Sequence, residues 1–283
     1  MIDTSLSQVS WHSYLAAILA IAKKDALHFI RYPMNAVFRI IQPLIWIAPV
    51  YFLSLTFVVD GSNTGFAGYT GTTDFVSFIL LGSILSNYIN AVFWGIGYSL
   101  REEMDSGVLE SNWMAPMSRG LLLVGRTVAS LVITTFTSVA MLVLARLLFG
   151  FRATGSVLAA FGTLVPMLVA LYGFGFAFAA LVLIVREPNM MVDVLSYLVS
   201  SMSGANFPVN VLPRFLLPIS LAIPLTYGYD AVRSYVLGTR TLIPVHYEVI
   251  ILVGFMIVMV PAGYAFFKLV ERRCRQLGTL GFH

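Results

Sequence analysis

Apolar residues fill the chain in long runs, and the charged residues fall between those runs rather than inside them. Uncharged stretches cover residues 40–59, 75–100, 127–145, 153–185, 194–213 and 249–267. A bilayer core about 30 Å thick is crossed by about 20 helical residues rising about 1.5 Å each, so each run predicts one crossing. The run at 153–185 carries Gly155 and Ser156 near its start, which sets the predicted helix start near Val157. The run at 215–229 is too short to cross and is broken by Pro218 and Pro224, as a re-entrant or external helical pair would be. The predicted fold class is all-α: a polytopic membrane protein with six transmembrane helices and that short helical pair before the last span, forming a single domain over 1–283.

The segment 11–31 follows a different pattern. Leu15, Ile18, Leu19, Ala22, Ala26, Phe29 and Ile30 recur at helical spacing, while Lys23, Lys24, His28 and Arg31 gather opposite. This predicts an amphipathic helix lying on the membrane surface. A crossing there would place Lys23, Lys24 and Asp25 in lipid, at a cost of about 2.5–3.5 kcal/mol each. Pro33, with fixed φ and no N–H, suits the turn into the first crossing.

Composition removes whole classes. The 283 residues are 59% hydrophobic and 11% charged, with a mean hydropathy of +0.88. Soluble domains run at about 45–50% and about 25%, so a water-soluble fold is excluded. The net charge of +4 does not point to nucleic acid, because Lys and Arg are scattered singly at segment ends. They report orientation instead. With the N-terminus inside, Lys23, Lys24, Arg31, Arg39, Arg101, Arg119, Arg126, Arg186, Lys268, Arg272, Arg273 and Arg275 are cytoplasmic. Arg146, Arg152, Arg214, Arg233 and Arg240 are then external. The expected location is a bacterial inner membrane with both termini cytoplasmic. No cleavable signal peptide is evident. A lone cysteine, Cys274, forms no intramolecular disulfide and no multi-cysteine metal site.

Candidate chemistry is sparse. Lys23, Lys24 and Lys268 are the three lysines, and none follows the glycine-rich turn of a phosphate-binding loop. His12, His28, His246 and His283 include no pair at ligand spacing, so no metal site is expected. A gradient-driven carrier keeps ionisable groups at membrane depth. Here the nearest such group is Asp193, expected close to a membrane surface just past Arg186, Glu187 and Pro188.

Between the second and third spans, Glu102, Glu103, Asp105 and Glu110 project charge, while Met104, Val108, Leu109, Trp113 and Met114 offer an apolar face. This loop reads either as a docking helix or as a solvated loop. Its order of Glu103, Gly107, Val108, Leu109, Glu110, then Pro116, Ser118 and Arg119, resembles the membrane subunits of type-2 ATP-binding-cassette exporters, the ABC-2 type permeases. The segment from Ser203 through Pro213, followed by Ile223, Pro224, Leu225, Thr226 and then Asp230 to Arg233, is similar to that family's outer segment.

The resemblance implies a half-transporter. Its partners would be two copies of a separate ABC ATPase, which bind the ATP and Mg, a second permease copy or close relative, and membrane lipid. This chain itself would bind no cofactor, perform no catalysis and contact no nucleic acid. Coupling to the ATPase would fall to the loop 101–119 through Glu102, Glu103, Gly107, Glu110 and Arg119. The path would run along the second and fifth spans, with Ser86, Asn87, Asn90, Phe93, Tyr197, Ser200, Met202 and Asn206 as lining, free of fixed charge. The external segment 207–233 would supply a gate at Phe207, Pro208 and Pro213. Such a lining suits a lipophilic or amphipathic drug or lipid-like cargo. Export of a polysaccharide or glycolipid by the same architecture, and gradient-driven secondary transport, stay open as alternatives.

Overall fold

The computed structural model describes residues 32–56, 64–95, 119–184 and 188–276, together with Leu19, Lys23, Leu27 and residues 29–31. These are helical throughout the regular elements. In chain order they are α1 (Pro33–Thr56), α2 (Thr64–Thr70), α3 (Phe75–Phe93), α4 (Arg119–Phe149), α5 (Val157–Val182), α6 (Pro188–Met202), α7 (Leu217–Leu221), α8 (Pro224–Leu237) and α9 (Val245–Gln276). The protein is all-α and largely membrane-spanning. Four stretches are long and apolar enough to cross: Phe75–Phe93, Ser130–Phe149, Val157–Val182 and Val245–Cys274. Two shorter apolar helical stretches, Val37–Phe52 and Met190–Met202, stand where the first and fifth crossings are expected. Leu19, Lys23, Leu27 and residues 29–31 are helical, as the amphipathic pattern predicts for those positions.

Local chemistry sets the boundaries. Asp74 caps α3, its carboxylate accepting from the Ser77 N–H at 3.0 Å. Ser156 caps α5, accepting from the Ala159 N–H at 3.3 Å, so that helix starts at Val157 as expected. Pro218 and Pro224 sit in the first turns of α7 and α8, where a missing N–H costs nothing. They separate the expected helical pair.

The fifth run is the principal correction. The sequence expectation is one crossing over 194–213, but α6 begins earlier, at Pro188, and ends at Met202. Gly204 then takes φ +83°, a left-handed conformation that glycine adopts without strain, and a single 3-10 turn at Val209–Val211 follows. The break separates a short helix from an irregular segment that an uncharged run alone does not reveal.

The core centres on α3. Leu80, Leu85, Ile89, Val92 and Phe93 are buried on it, with Phe93 stacked on Phe178 of α5 at 5.3 Å. Ser130 donates to the Ala91 carbonyl at 3.4 Å and Tyr88 to Thr135 Oγ1 at 3.2 Å, so α3 and α4 run antiparallel. Helices α5 and α9 approach through small residues. A Cβ on Gly173 would run into the Met259 backbone, and one on Gly263 into the Gly173 carbonyl. Helix α8 packs against both α5 and α9.

Candidate functional site

A cavity of about 1170 Å³ opens between α1, α3, α4 and α6. Its α3 wall follows a helical stripe, Ser83, Ser86, Asn87 and Asn90, which Trp94 continues just past the helix end. Helix α6 faces it with Asp193, Ser196, Tyr197, Ser200 and Ser201, and Asn206 closes one end just past the helix break. Of the residues expected to line a path, Ser86, Asn87, Asn90, Tyr197, Ser200 and Asn206 are brought together on this cavity. Phe93 is not on the wall. It lies off the stripe and is buried against Phe178. Met202 is half-buried at the end of α6, where its carbonyl accepts from Ser220 Oγ at 2.6 Å.

Two further walls escape the expectation. Helix α1 contributes Arg39, Gln42 and Trp46, and α4 contributes Ser130, Thr134 and Thr137. Each set is a stripe of polar or amphipathic residues at helical spacing on an otherwise apolar helix, a signal present in the sequence. The lining is also not free of fixed charge: Arg39 and Asp193 both reach it, with opposite signs.

The hydroxyls are partly occupied. Ser196 donates to the Asp193 carbonyl at 3.1 Å and Thr137 to the Thr134 carbonyl at 3.0 Å, so each offers the cavity an acceptor. Asn90 and Asn206 are exposed and Asn87 is half-buried, and their amides make no hydrogen bond to any described residue. Tyr197 and Trp46 stand 71% and 74% exposed, leaving broad aromatic faces turned outward. The site has bidirectional hydrogen-bonding groups, aromatic surfaces and a single Arg matched by a single Asp.

Next to Asn206, at one end of the cavity, the Ala205 carbonyl is held by Arg233 of α8, a residue that loop-charge counting assigns to the surface. It is 2% exposed. Its Nε donates to the Phe78 carbonyl at 3.1 Å, Nη1 to the Gly204 carbonyl at 2.6 Å and Nη2 to the Ala205 carbonyl. The guanidinium lies 3.6 Å from the centre of the Phe78 ring. Arg233 therefore joins the start of α3 to the break after α6, beside Asn206. On the same helix, Tyr229 hydrogen-bonds Ser86 at 2.9 Å and also reaches Ser200. One turn from Arg233, Asp230 accepts from the Leu242 N–H at 2.8 Å. Burial pushes the Asp230 carboxyl above its ordinary value, against the opposing pull of that N–H and of Arg233.

The remaining expected residues are placed as follows. Phe207 and Pro208 are half-buried and Pro213 is exposed, flanking the 3-10 turn. Glu102, Glu103, Gly107 and Glu110 lie outside the described residues, and Arg119 is the first residue of α4.

The arrangement of apolar helices around a polar cavity, with a proline-punctuated segment at one end, agrees with a comparison against family models. The family described as ABC-2 type transporter matches residues 16–237. The chain belongs to the ABC-2 type transporter family. Its permeases are typically non-catalytic transport subunits and generally pair with ATPase subunits. The match spans most of the chain, from the predicted surface helix through α8. No curated protein matches the chain.

Proposed function

We propose that this ABC-2 permease is the membrane half of an exporter driven by two copies of a separate ATPase, working as a pair with a second copy of itself or a close relative. The observation that supports it best is the cavity of about 1170 Å³, walled by neutral hydroxyl, amide and aromatic side chains with one Arg and one Asp, in a chain of this family. Hydrogen-bonding groups and aromatic faces together suit an amphipathic cargo, with a polar part held by Asn87, Asn90 and Ser200 and an apolar part against Trp46 and Tyr197.

In this reading α1 and α6 complete six crossings with the four longer helices, and both termini face the cytoplasm of a bacterial inner membrane. The loop 101–119 inserts into the ATPase, with Glu102, Glu103, Gly107, Glu110 and Arg119 transmitting its motion. The segment 207–233 serves as the outer gate, with Phe207, Pro208 and Pro213 at its rim. Closure of the ATPases on ATP pushes the coupling loops and favours the outward-open arrangement, and hydrolysis resets it. Purification in mild detergent tests the assembly. A P-loop ATPase co-isolating at equal stoichiometry supports it, and a chain that purifies without one while still transporting contradicts it.

A further inference from the structure

Helix α8 bears a second buried constellation beside the Arg233 tie. Glu248, in the first turn of α9, is fully buried, and its carboxyl lies within hydrogen-bonding reach of the Asp230 carboxyl. The N–H groups of Ile243 and Leu242 point toward Glu248, but neither carboxyl oxygen meets a donor in bonding geometry. Arg233 is near enough to Asp230 for their charges to interact. Its donors, however, are committed to the carbonyls of Phe78, Gly204 and Ala205. A buried acid, Glu248, and a half-buried one, Asp230, thus face each other with no cation bonded to either among the described residues.

Two carboxylates at this range do not both stay ionised away from water. We propose that Asp230 and Glu248 form a one-proton binding site that sets whether Arg233 ties the start of α3 to the break after α6, beside the cavity residue Asn206. With one proton shared, the pair carries a single negative charge, balanced by Arg233, and an O–H···O bond joins α8 to α9. When the proton leaves, two negative charges face one guanidinium three residues along the same helix. A charge-assisted bond from Arg233 to Asp230 then competes with its neutral carbonyl acceptors. Those carbonyls belong to Phe78 on α3 and to Gly204 and Ala205 beside Asn206, so transfer of Arg233 unties the start of α3 from the break after α6. Proton binding favours the tied state, and rising pH favours release.

The surroundings favour a proton over a metal ion. The groups aimed at the carboxyls are N–H donors, where a hard cation requires several oxygens. No group of three or more His, Cys, Asp or Glu suited to a metal occurs among the described residues. Tyr227 interacts with Glu248 while donating to the Leu221 carbonyl at 2.9 Å. Helix α5, packed on both α8 and α9, brings Tyr172, whose buried hydroxyl bonds no described residue; α3 brings Tyr88, bonded to Thr135, and α8 itself carries Tyr235. Helix α7 brings none. The His246 and Tyr247 ring centres lie 4.2 Å apart with their planes tilted by 44°, and in the connecting strap Arg240 packs on Gly71.

The test uses the full chain in lipid nanodiscs. Infrared difference spectra between about pH 5 and about pH 9 should show one protonated-carboxyl band lost on raising the pH, absent in both Asp230→Asn and Glu248→Gln. In an Ala205→Cys background, the rate of maleimide labelling at position 205, divided by the rate for the same background with Glu248→Gln at the same pH, should rise about ten-fold over that range. Dividing by the variant removes the thiol's own pH dependence. The proposal is overturned by a band that persists in both variants, by no such band in the native chain, by a flat labelling ratio, or by loss of the band on adding calcium at fixed pH. If one variant fails to fold, the native spectrum and the other variant still decide.

Discussion

Tyr229 Oη and Ser86 Oγ lie 2.9 Å apart, and this hydrogen bond joins a fully buried residue of α8 to the polar stripe of α3 that walls the cavity. Tyr229→Phe and Ser86→Ala should each lower stability by about 1 kcal/mol, and the double variant by little more than either alone. Denaturant-induced unfolding in mixed micelles measures all four corners of the cycle. Additive effects would show that the two hydroxyls do not act as a pair.

Gly82 sits where α3 passes beneath the broken end of α6. A Cβ there would run into the Ala205 carbonyl and Arg233 Nη2. Gly82→Ala should therefore cost about 1–3 kcal/mol through overpacking, although alanine is the better helix former. Thermal unfolding reads it directly, and a stabilised variant would contradict the tight approach.

Arg233 serves three carbonyls with one planar fork. Lysine keeps the charge but not the geometry, so Arg233→Lys should lose at least about 2 kcal/mol, and Arg233→Met more, because it leaves those buried carbonyls without a donor. Limited proteolysis across 203–213 should accelerate in the same order. Equal behaviour of Lys and Arg would mean that charge alone matters.

Much of this architecture was legible in advance because lipid imposes a simple rule: long uncharged runs become helices. The start of α5 at Val157 and the separation of α7 from α8 were visible in Ser156, Pro218 and Pro224, since capping and proline chemistry are local. The end of α6 was not. Residues 203–213 are as uncharged as a crossing, and what ends the helix is Gly204 together with a guanidinium supplied from 29 residues further along the chain. Arg233 itself reads as a surface charge until the packing around it is known. The expected polar positions on α3 and α6 line the cavity, but Phe93 shares their neighbourhood without sharing their face. The stripes Arg39, Gln42, Trp46 and Ser130, Thr134, Thr137 were readable by the same spacing, once four helices rather than two are examined.

If the amides of the cavity bind cargo, Asn87→Ala and Asn90→Ala should each raise the KM for ATP-driven transport about 5–10-fold, the equivalent of one lost hydrogen bond, with little change in kcat. Transport assays in vesicles containing the permease and its ATPase separate the two parameters. An unchanged KM in both variants would remove these residues from the binding surface.

The loop 101–119 makes a separate prediction. Replacing Glu103 and Glu110 together with alanine should leave pairing of the permeases intact while cutting cargo-stimulated ATP hydrolysis at least about ten-fold. Size-exclusion chromatography and a phosphate-release assay on the same preparation give both readings. Full stimulation would place the coupling elsewhere.

The most direct measurement is transport by vesicles reconstituted with this chain alone, compared with vesicles that also hold its ATPase. The account predicts ATP-dependent accumulation in the second set, and no uphill movement in the first under ATP, a proton gradient or a sodium gradient. Sustained accumulation by the chain alone under any of these would contradict it.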